Sequence, residues 1–203
     1  MPTLDIENTI WDKGYNHIAF CDEVGRGCLF GLVLAAAVIM PRGLVIEGIK
    51  DSKKLSPGKR EQLYAIIRKE CTGIGVGTVS AEVIDKINIK NATRLAMKKA
   101  VMSIKDKNEN KIIPDYVLVD AEKIDLSIPQ KVIIKGDSLS HGIAASSIVA
   151  KVLRDSLCAK WHTRYPNYNI KQNKGYGTKT HREALRQYGA SPMHRKTFLG
   201  KIL

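Results

Sequence analysis

Four acidic side chains lie where apolar segments of the sequence end. Asp22 and Glu23 are adjacent and lead into the turn Gly25-Arg26-Gly27, Asp120 ends a second apolar segment, and Asp137 follows a third. Each has an ordinary explanation: an N-cap or Asx turn for Asp120 and Asp137, a turn former and a solvated strand end for the pair. Strand ends in mixed α/β sheets, however, meet at one rim, where sites are usually built. We therefore expect the four carboxylates to lie together.

Carboxylates that lie close together repel one another, so at neutral pH they must take up protons or bind cations. Mg²⁺ or Mn²⁺ is the cation expected here, since hard divalent ions prefer carboxylate and water oxygens. Two such ions roughly 3.5–4 Å apart can activate a water and stabilise the leaving oxygen of a phosphodiester. The pattern therefore predicts a two-metal phosphodiesterase site.

The elements that must position these acids alternate between strands and helices. Hydrophobic patterning predicts strands over residues 17–22, 31–40, 72–80, 116–120 and 131–135. It predicts helices over residues 57–70, 81–86, 91–106 and 140–161, followed by short helices and loops in the tail. This order predicts an α/β fold with a mixed central sheet covered by helices.

The charge of the chain points to a polyanionic partner. Its 203 residues include 33 Lys and Arg against 20 Asp and Glu, which gives a formal charge of +13. Residues 151–203 carry a net +10, from 12 basic and 2 acidic side chains, whereas residues 1–150 carry only +3. Acids gathered within such a basic chain suggest chemistry on a nucleic acid.

Several other classes of protein are disfavoured by the sequence. The longest apolar segment, residues 32–40, is about half the length of a membrane helix, so we expect no membrane association and a cytoplasmic location. The four cysteines have no zinc-ligand spacing and are read as free thiols. The spacing of Gly25, Gly27 and Gly31 is not that of a dinucleotide-binding loop, and no phosphate-binding P-loop motif occurs.

Beyond these patterns, a series of motifs resembles one enzyme family, type 2 ribonuclease H, and within it the bacterial ribonuclease HII branch. The motifs follow the family order over about residues 17–198. They are Asp22-Glu-Val-Gly-Arg-Gly27, Asp51-Ser-Lys-Lys-Leu-Ser56, Ile84-Asp-Lys-Ile-Asn-Ile89 with Ala92-Thr93 and Ala96-Met97, Val119-Asp120, Lys135-Gly-Asp137, Ala145 to Asp155, Gly175-Tyr-Gly-Thr178 and Ser191-Pro-Met-His-Arg195.

The resemblance implies an RNase H-like fold in a single domain over residues 1–203. Its catalytic core would span about 17–160, and a basic helical C-terminal extension about 161–203. It also implies that Asp22, Glu23, Asp120 and Asp137 are the catalytic and metal-binding residues, which agrees with the set reached from strand ends. We expect a monomer with Mg²⁺ or Mn²⁺ as cofactor, and the sequence does not identify which proteins, if any, bind to it.

The substrate implied by the resemblance is RNA in an RNA–DNA hybrid, or a ribonucleotide embedded in duplex DNA. Cleavage would fall on the 5′ side of the ribonucleotide and leave 3′-hydroxyl and 5′-phosphate ends, as in RNA primer removal and ribonucleotide excision repair. The resemblance implies that Gly25, Arg26 and Gly27 read the 2′-hydroxyl and that Tyr176 assists at the RNA–DNA junction. Phosphate contacts are expected from four basic residues, Lys53, Lys54, Lys151 and Arg154.

Some alternatives remain open at this point. They are a non-catalytic nucleic-acid-binding protein, a nuclease with another preference, and a ribonuclease HIII-type enzyme. The last usually has an extra N-terminal domain, whereas only 16 residues precede the first predicted strand here. Asp155 is interpreted as the partner of Lys151 in a local ion pair. No role is assigned to Cys21, Cys28, His162 or His181.

Overall fold

Five strands form one mixed sheet in the computed structural model, which describes every residue except Lys201. They are β1 (Ile18–Val24), β2 (Val33–Ile39), β3 (Gly73–Val79), β4 (Tyr116–Asp120) and β5 (Gln130–Ile133). The order across the sheet is β3-β2-β1-β4-β5. Strand β2 runs antiparallel to β1 and β3, whereas β1, β4 and β5 are parallel. The carboxyl ends of β1, β4 and β5 therefore meet at one edge, as a shared acidic site requires.

Seven α-helices accompany the sheet in the described part of the chain. They are α1 (Asp5–Trp11), α2 (Pro57–Glu70), α3 (Ala81–Met102), α4 (Gly136–Leu139), α5 (His141–Arg164), α6 (Ile170–Asn173) and α7 (Lys179–Tyr188). Short 3-10 turns lie at Ser52–Lys54, Pro166–Tyr168 and Lys196–Phe198. The mixed sheet flanked by helices confirms the predicted fold class. None of the helices in the described residues is long and apolar enough to span a membrane.

The bounds predicted for α2 and β4 are those of the structure, whereas β1 is longer than predicted. Helix α2 begins after Ser56, whose side chain accepts a hydrogen bond from the backbone N–H of Lys59. Strand β1 continues two residues past the predicted end, because Glu23 and Val24 still pair with β2. Asp22 and Glu23 therefore lie in the last paired residues of β1 rather than in the loop that follows.

Two further points concern helices, one a prediction that the structure supports and one a helix that the sequence analysis did not predict. The two helices predicted over residues 81–106 are both present, because α3 is divided at Asn88, whose φ of +64° and ψ of 164° are not helical. The Asn88 side chain accepts from the backbone N–H of Asn91 at 3.0 Å and so caps the second half. Helix α1 was not predicted. Its buried Glu7 accepts from the Ser140 hydroxyl at 2.7 Å and from the Gly142 N–H at 3.0 Å, which fastens α1 to the start of α5.

Both faces of the sheet are covered. Side chains of α1, α2 and α5 fill one core, and those of α3 fill the other. Gly77 of β3 lets α3 approach closely, since a Cβ at this position would overlap the carbonyl oxygen of Ala96.

A third apolar cluster joins the C-terminal segments to the loop between β1 and β2, where Phe30 is fully buried. The C-terminal segments thus pack against the loop that follows Asp22 and Glu23. This contact brings the tail of the chain to the edge of the sheet where the acids lie.

Candidate active site

Three of the four predicted acids form a cluster at the carboxyl edge of the sheet. Cys21 of β1 pairs with Val119 of β4, so the next residues, Asp22 and Asp120, are neighbours across the two strands. One carboxylate oxygen from each of Asp22, Glu23 and Asp120 lies within 4.8 Å of the others. The strand register thus brings these three residues together, as the sequence pattern predicted.

The cluster is electrostatically strained. Burial, followed by the charges of Glu23 and Asp120, raises the pKa of Asp22 well above its usual value. Burial also raises the pKa of Glu23, although the Arg26 guanidinium opposes this, and it raises the pKa of Asp120. The backbone N–H of Gly136 donates to Asp120 Oδ1 at 2.7 Å and holds that carboxylate in place. The fold therefore keeps three acids in an arrangement that favours cation binding.

Asp137 lies beside this cluster rather than within it. It is buried on α4, directly after β5, and its negative charge contributes to the raised pKa of Asp120. Its Oδ2 atom lies 4.0 Å from Lys53 Nζ. The described structure thus places Asp137 next to the three-residue cluster, on the side where Lys53 lies.

The donor atoms of the cluster suit a hard divalent cation. All three groups are carboxylates, the ligand type that Mg²⁺ and Mn²⁺ prefer. In addition, Glu23 Oε2 is buried and has no hydrogen-bond partner among the described residues. An unpaired buried carboxylate oxygen is costly unless a cation or a proton satisfies it. The residues therefore fit the metal that the sequence pattern predicted.

The turn Gly25-Arg26-Gly27 follows the cluster directly and is held by a buried arginine. Arg195 donates to the carbonyl oxygens of Gly25 and Arg26, each at 2.7 Å. Gly25 has a φ of +95°, a backbone conformation that favours glycine. A Cβ at this position would also overlap the side chain of Arg154, which is a second reason why another residue is disfavoured. The Arg26 guanidinium lies 3.5 Å from Glu23 and 3.2 Å from Glu122.

The predicted phosphate contact of Arg154 is wrong in this structure. Its side chain is fully buried and donates to the backbone carbonyls of Phe30 at 3.2 Å and Lys174 at 2.8 Å. A buried guanidinium satisfied by carbonyl oxygens links the loop after β1 to the segment before Tyr176. Arg154 therefore holds two backbone segments next to the site and does not face a ligand.

Tyr176 lies at the mouth of the site. Its neighbour in space is Gly27, where a Cβ would come within 3.9 Å of the Tyr176 ring, and its backbone forms an isolated bridge with Cys28. The side chain is 42% exposed. One cavity joins it to the acids and to two of the predicted lysines, and its lining includes Asp22, Glu23, Ser52, Lys53, Ser147, Lys151 and Tyr176.

The three predicted lysines differ in their surroundings. Lys53 is exposed beside Asp137, and Lys54 is exposed with no side-chain hydrogen bond or ion pair among the residues described. Lys151 donates to Asp155 at 2.7 Å, which confirms the local ion pair expected from the sequence. Arg60 also lies 3.5 Å from Asp155.

Sequence reasoning missed two residues that shape the site. Glu122, two positions after Asp120, is buried and contacts Arg26 at 3.2 Å and Arg94 at 3.0 Å. The sequence did contain a signal for Glu122, because it is a second acid close to the end of the strand that carries Asp120. Arg195 belongs to one of the family motifs, but nothing in the local pattern distinguishes a buried arginine from the exposed basic residues around it, so its role was not predicted.

Comparisons with known proteins agree on one family. The family model described as Ribonuclease HII matches residues 20–201. Two curated relatives with the name Ribonuclease HII cover all of this chain and are covered by it fully: one from Alkaliphilus oremlandii is 70% identical, and one from Alkaliphilus metalliredigens is 64% identical. The crystal structure of ribonuclease H2 from Pyrococcus horikoshii OT3 has a similar fold, with a TM-score of 0.75 at 24% identity over 91% of this chain and 96% of that one.

Proposed function

The chain belongs to the ribonuclease HII family and is a ribonuclease H, and from this premise we propose that Asp22, Glu23, Asp120 and Asp137 form its active site. The family assignment rules out the alternatives of a non-catalytic nucleic-acid-binding protein and a ribonuclease HIII-type enzyme. Its reaction is the endonucleolytic hydrolysis of RNA in RNA–DNA hybrids. The proposed products are a 3′-hydroxyl and a 5′-phosphate, with the cut on the 5′ side of a ribonucleotide.

The observation that carries the proposal is the cluster of three carboxylates, two of which, Asp22 and Glu23, line the same cavity as Tyr176. Mutually repelling acids are costly to bury and are retained where their charge is used. Their position beside the Gly25–Gly27 turn connects the acidic site to the segment proposed to contact the ribose.

Asp22, Glu23 and Asp120 would hold a divalent cation, Mg²⁺ or Mn²⁺, with Asp137 at its edge. When bound, two such ions would lower the pKa of an attacking water and stabilise the leaving 3′-oxygen. The chain's own contribution is positional. The N–H of Gly136 and the strand pairing of β1 fix the carboxylates, and the Lys53 ammonium lies where it can contact a phosphate.

Selection of RNA over DNA must depend on the 2′-hydroxyl and on helix shape. The glycines at positions 25 and 27 let backbone groups approach a sugar, and Arg195 fixes the carbonyls of this turn. We infer that Tyr176 packs against the sugar at the RNA–DNA junction, because its exposed ring lies next to Gly27 at the entrance to the acidic cavity.

The cellular role that fits this activity is RNA primer removal and excision of misincorporated ribonucleotides, carried out in the cytoplasm by a monomer. We propose further that residues 1–203 act as a single domain, in which the tail packs onto the loop after β1 through Phe30. Lys54 and Lys151 remain proposed phosphate contacts.

The test compares an all-DNA duplex with the same duplex carrying one ribonucleotide. Each is incubated with the enzyme in Mg²⁺, in Mn²⁺ and in EDTA. We expect metal-dependent cleavage of the second duplex alone, on the 5′ side of the ribonucleotide. The variant Asp120→Asn should bind this duplex but fail to cut it, because the charge that holds the metal is lost while the basic surface remains.

The matched control is Asp125→Asn, which removes an exposed acid whose contact is a surface ion pair with Lys98. It should cleave as the unmodified enzyme does. Cleavage in EDTA, or full activity of Asp120→Asn in Mg²⁺, would contradict the metal assignment. Equal cleavage of both duplexes would contradict ribose recognition.

A further inference from the structure

Two buried histidines lie directly behind the Tyr176 segment. His181 on α7 and His194 in the following loop are 0% and 2% exposed, and their Nε2 atoms lie 3.1 Å apart. At one end, His181 Nδ1 lies 2.9 Å from the carbonyl oxygen of Tyr176. At the other, the backbone N–H of Ser191 donates to His194 Nδ1 at 3.0 Å. The pair therefore connects the loop at residue 191 to the segment that carries Tyr176.

The proton positions in this pair follow from its two ends. The Ser191 N–H can only donate, so His194 Nδ1 accepts from it, and the Ser191 hydroxyl, 2.9 Å from the same atom, is then a second donor. A neutral His194 therefore carries its proton on Nε2. That proton points at His181 Nε2, which must accept it. The proton of His181 is therefore on Nδ1, where the Tyr176 carbonyl accepts it. All four ring nitrogens are then matched, and both rings are neutral.

The surroundings favour this neutral arrangement. Two aromatic rings pack against the pair: Phe30 lies 4.9 Å from His194, and Tyr168 lies 4.7 Å from His194 and 6.2 Å from His181. Tyr168 is the titratable group among these, and its hydroxyl donates to the carbonyl of Gly189. Burial lowers the pKa of both histidines, to about 4 for His194. Added protons would set two N–H groups against each other.

From this geometry we propose that His181 and His194 are positioning residues, whose ordered hydrogen bonds hold the Tyr176 segment in the orientation used to recognise the ribonucleotide. The proposal rests on the role proposed above for Tyr176. The Tyr176 carbonyl also accepts from the Thr178 N–H at 2.8 Å, which closes the turn locally. Arg182 Nε of α7 donates to the Gly177 carbonyl at 2.9 Å, and the histidine pair adds a contact that links the Tyr176 carbonyl to the loop at residue 191.

The first test is spectroscopic and needs no substrate. Two-bond ¹H–¹⁵N correlation spectra of the ¹⁵N-labelled protein distinguish the two neutral tautomers of each histidine. We expect the Nδ1–H form for His181 and the Nε2–H form for His194, both unchanged on lowering the pH from 8 to about 6. The opposite tautomer on either ring, or protonation of either ring near the ordinary histidine value of about 6.5, would overturn the proposal.

The second test uses three variants in steady-state cleavage of the single-ribonucleotide duplex. His181→Gln removes the donor to the Tyr176 carbonyl and should raise KM roughly fivefold with kcat little changed, the effect of losing one hydrogen bond. His181→Asn places an amide N–H near the former Nδ1 position and should restore most of the affinity. His17→Gln, at an exposed histidine before β1, is the control and should behave as the unmodified enzyme.

A double-mutant comparison with Tyr176→Ala separates the possible failures. If His181 acts through Tyr176, His181→Gln should add little to the KM of Tyr176→Ala. Fully additive losses, or a His181→Gln effect on kcat alone, would show that His181 does not position Tyr176, while leaving the proposed role of Tyr176 intact. Unchanged cleavage by Tyr176→Ala would contradict that role and this inference together. Thermal unfolding of each variant shows whether it remains folded.

Discussion

Asp22 illustrates how the needs of the site oppose those of the fold. It is 5% exposed, and burial together with two neighbouring acids raises its pKa well above the usual value. A raised pKa means that the folded state binds protons more tightly than the unfolded state. The stability contributed by this group is therefore present at low pH and lost as the pH rises through the folded-state pKa. A bound cation would relieve the same repulsion at neutral pH.

We predict that Asp22→Asn raises the stability of the metal-free protein and abolishes its activity. At pH 8 without divalent ions, the free energy of unfolding should rise by about 1–2 kcal/mol, because one repelling charge is removed. Mg²⁺ should raise the Tm of the unmodified protein but not that of the variant. Cleavage should fall by more than about a hundredfold. Calorimetry with and without Mg²⁺ checks the first part, and a variant that is less stable without metal would contradict it.

Gly25 offers a second prediction at this scale, with Gly14 as its control. Both have positive φ, +95° and +93°, but a Cβ at Gly14 would meet nothing within 4 Å whereas one at Gly25 would overlap Arg154. Gly14→Ala should cost about 1 kcal/mol, the backbone preference alone. Gly25→Ala should cost about 2 kcal/mol more, since the buried Arg154 must move. Urea unfolding of the two variants measures the difference. Equal decreases in the free energy of unfolding would mean that the Arg154 side chain can move aside without cost.

The residues that could be predicted from the sequence are those with a local signal. Asp22, Glu23 and Asp120 could be identified because they are acids at the ends of apolar segments. The strand register brings them together. Arg154 and Arg195 could not be placed, because their role depends on carbonyl oxygens of distant loops. An arginine that is buried against the backbone has the same sequence appearance as one that faces a phosphate.

At the scale of elements, the sequence predicted each strand and the long helices, and the errors occur where tertiary contacts decide. The end of β1 depends on pairing with β2, which continues through Val24. The two helices predicted within α3 are found on either side of the non-helical Asn88, whose side chain caps the second one. Helix α1 is held by Glu7 against α5, a contact across most of the chain that local patterning could not reveal.

The packing of α7 against the loop after it should depend on pH. The folded-state pKa of His194 is about 4, so between pH 4 and 6.5 the unfolded chain binds more protons than the folded protein. Stability should therefore be fully present above about pH 6.5 and decrease as the pH falls toward 4, by on the order of 2 kcal/mol. His181, whose pKa burial also lowers, acts in the same direction.

Urea unfolding of the unmodified protein and of His194→Gln at pH 7.5 and pH 5 measures this dependence. The variant lacks the titrating ring, so the difference in free energy between the two proteins should shrink as the pH falls. This comparison cancels the titration of the carboxylates, which both proteins share. A difference that stays constant with pH would mean that His194 titrates alike in the folded and unfolded states.

For the molecule as a whole, net charge overstates the surface available to a nucleic acid. Residues 151–203 carry a net +10, yet Arg154 and Arg195 are fully buried against carbonyl oxygens. The remaining basic side chains of this segment that the structure describes are mostly exposed. The charge of a sequence thus identifies the class of partner, while only the fold shows which charges can meet it.

The salt dependence of binding tests this division of the basic residues. In the Asp120→Asn background, which we expect to bind without cleaving, the logarithm of the binding constant for a ribonucleotide-containing duplex should fall linearly with the logarithm of salt concentration. Lys53→Gln should reduce the slope by about 0.9, the loss of one phosphate contact. Lys105→Gln removes the same charge from a lysine paired with Glu109 near β3 and should leave the slope unchanged.

Arg154→Met should lower the free energy of unfolding without changing the slope, because the Arg154 guanidinium donates its hydrogen bonds to backbone carbonyls of the protein. Equal changes for Lys53 and Lys105 would mean that the duplex responds to net charge alone, and a smaller slope for Arg154→Met would place that guanidinium on a phosphate.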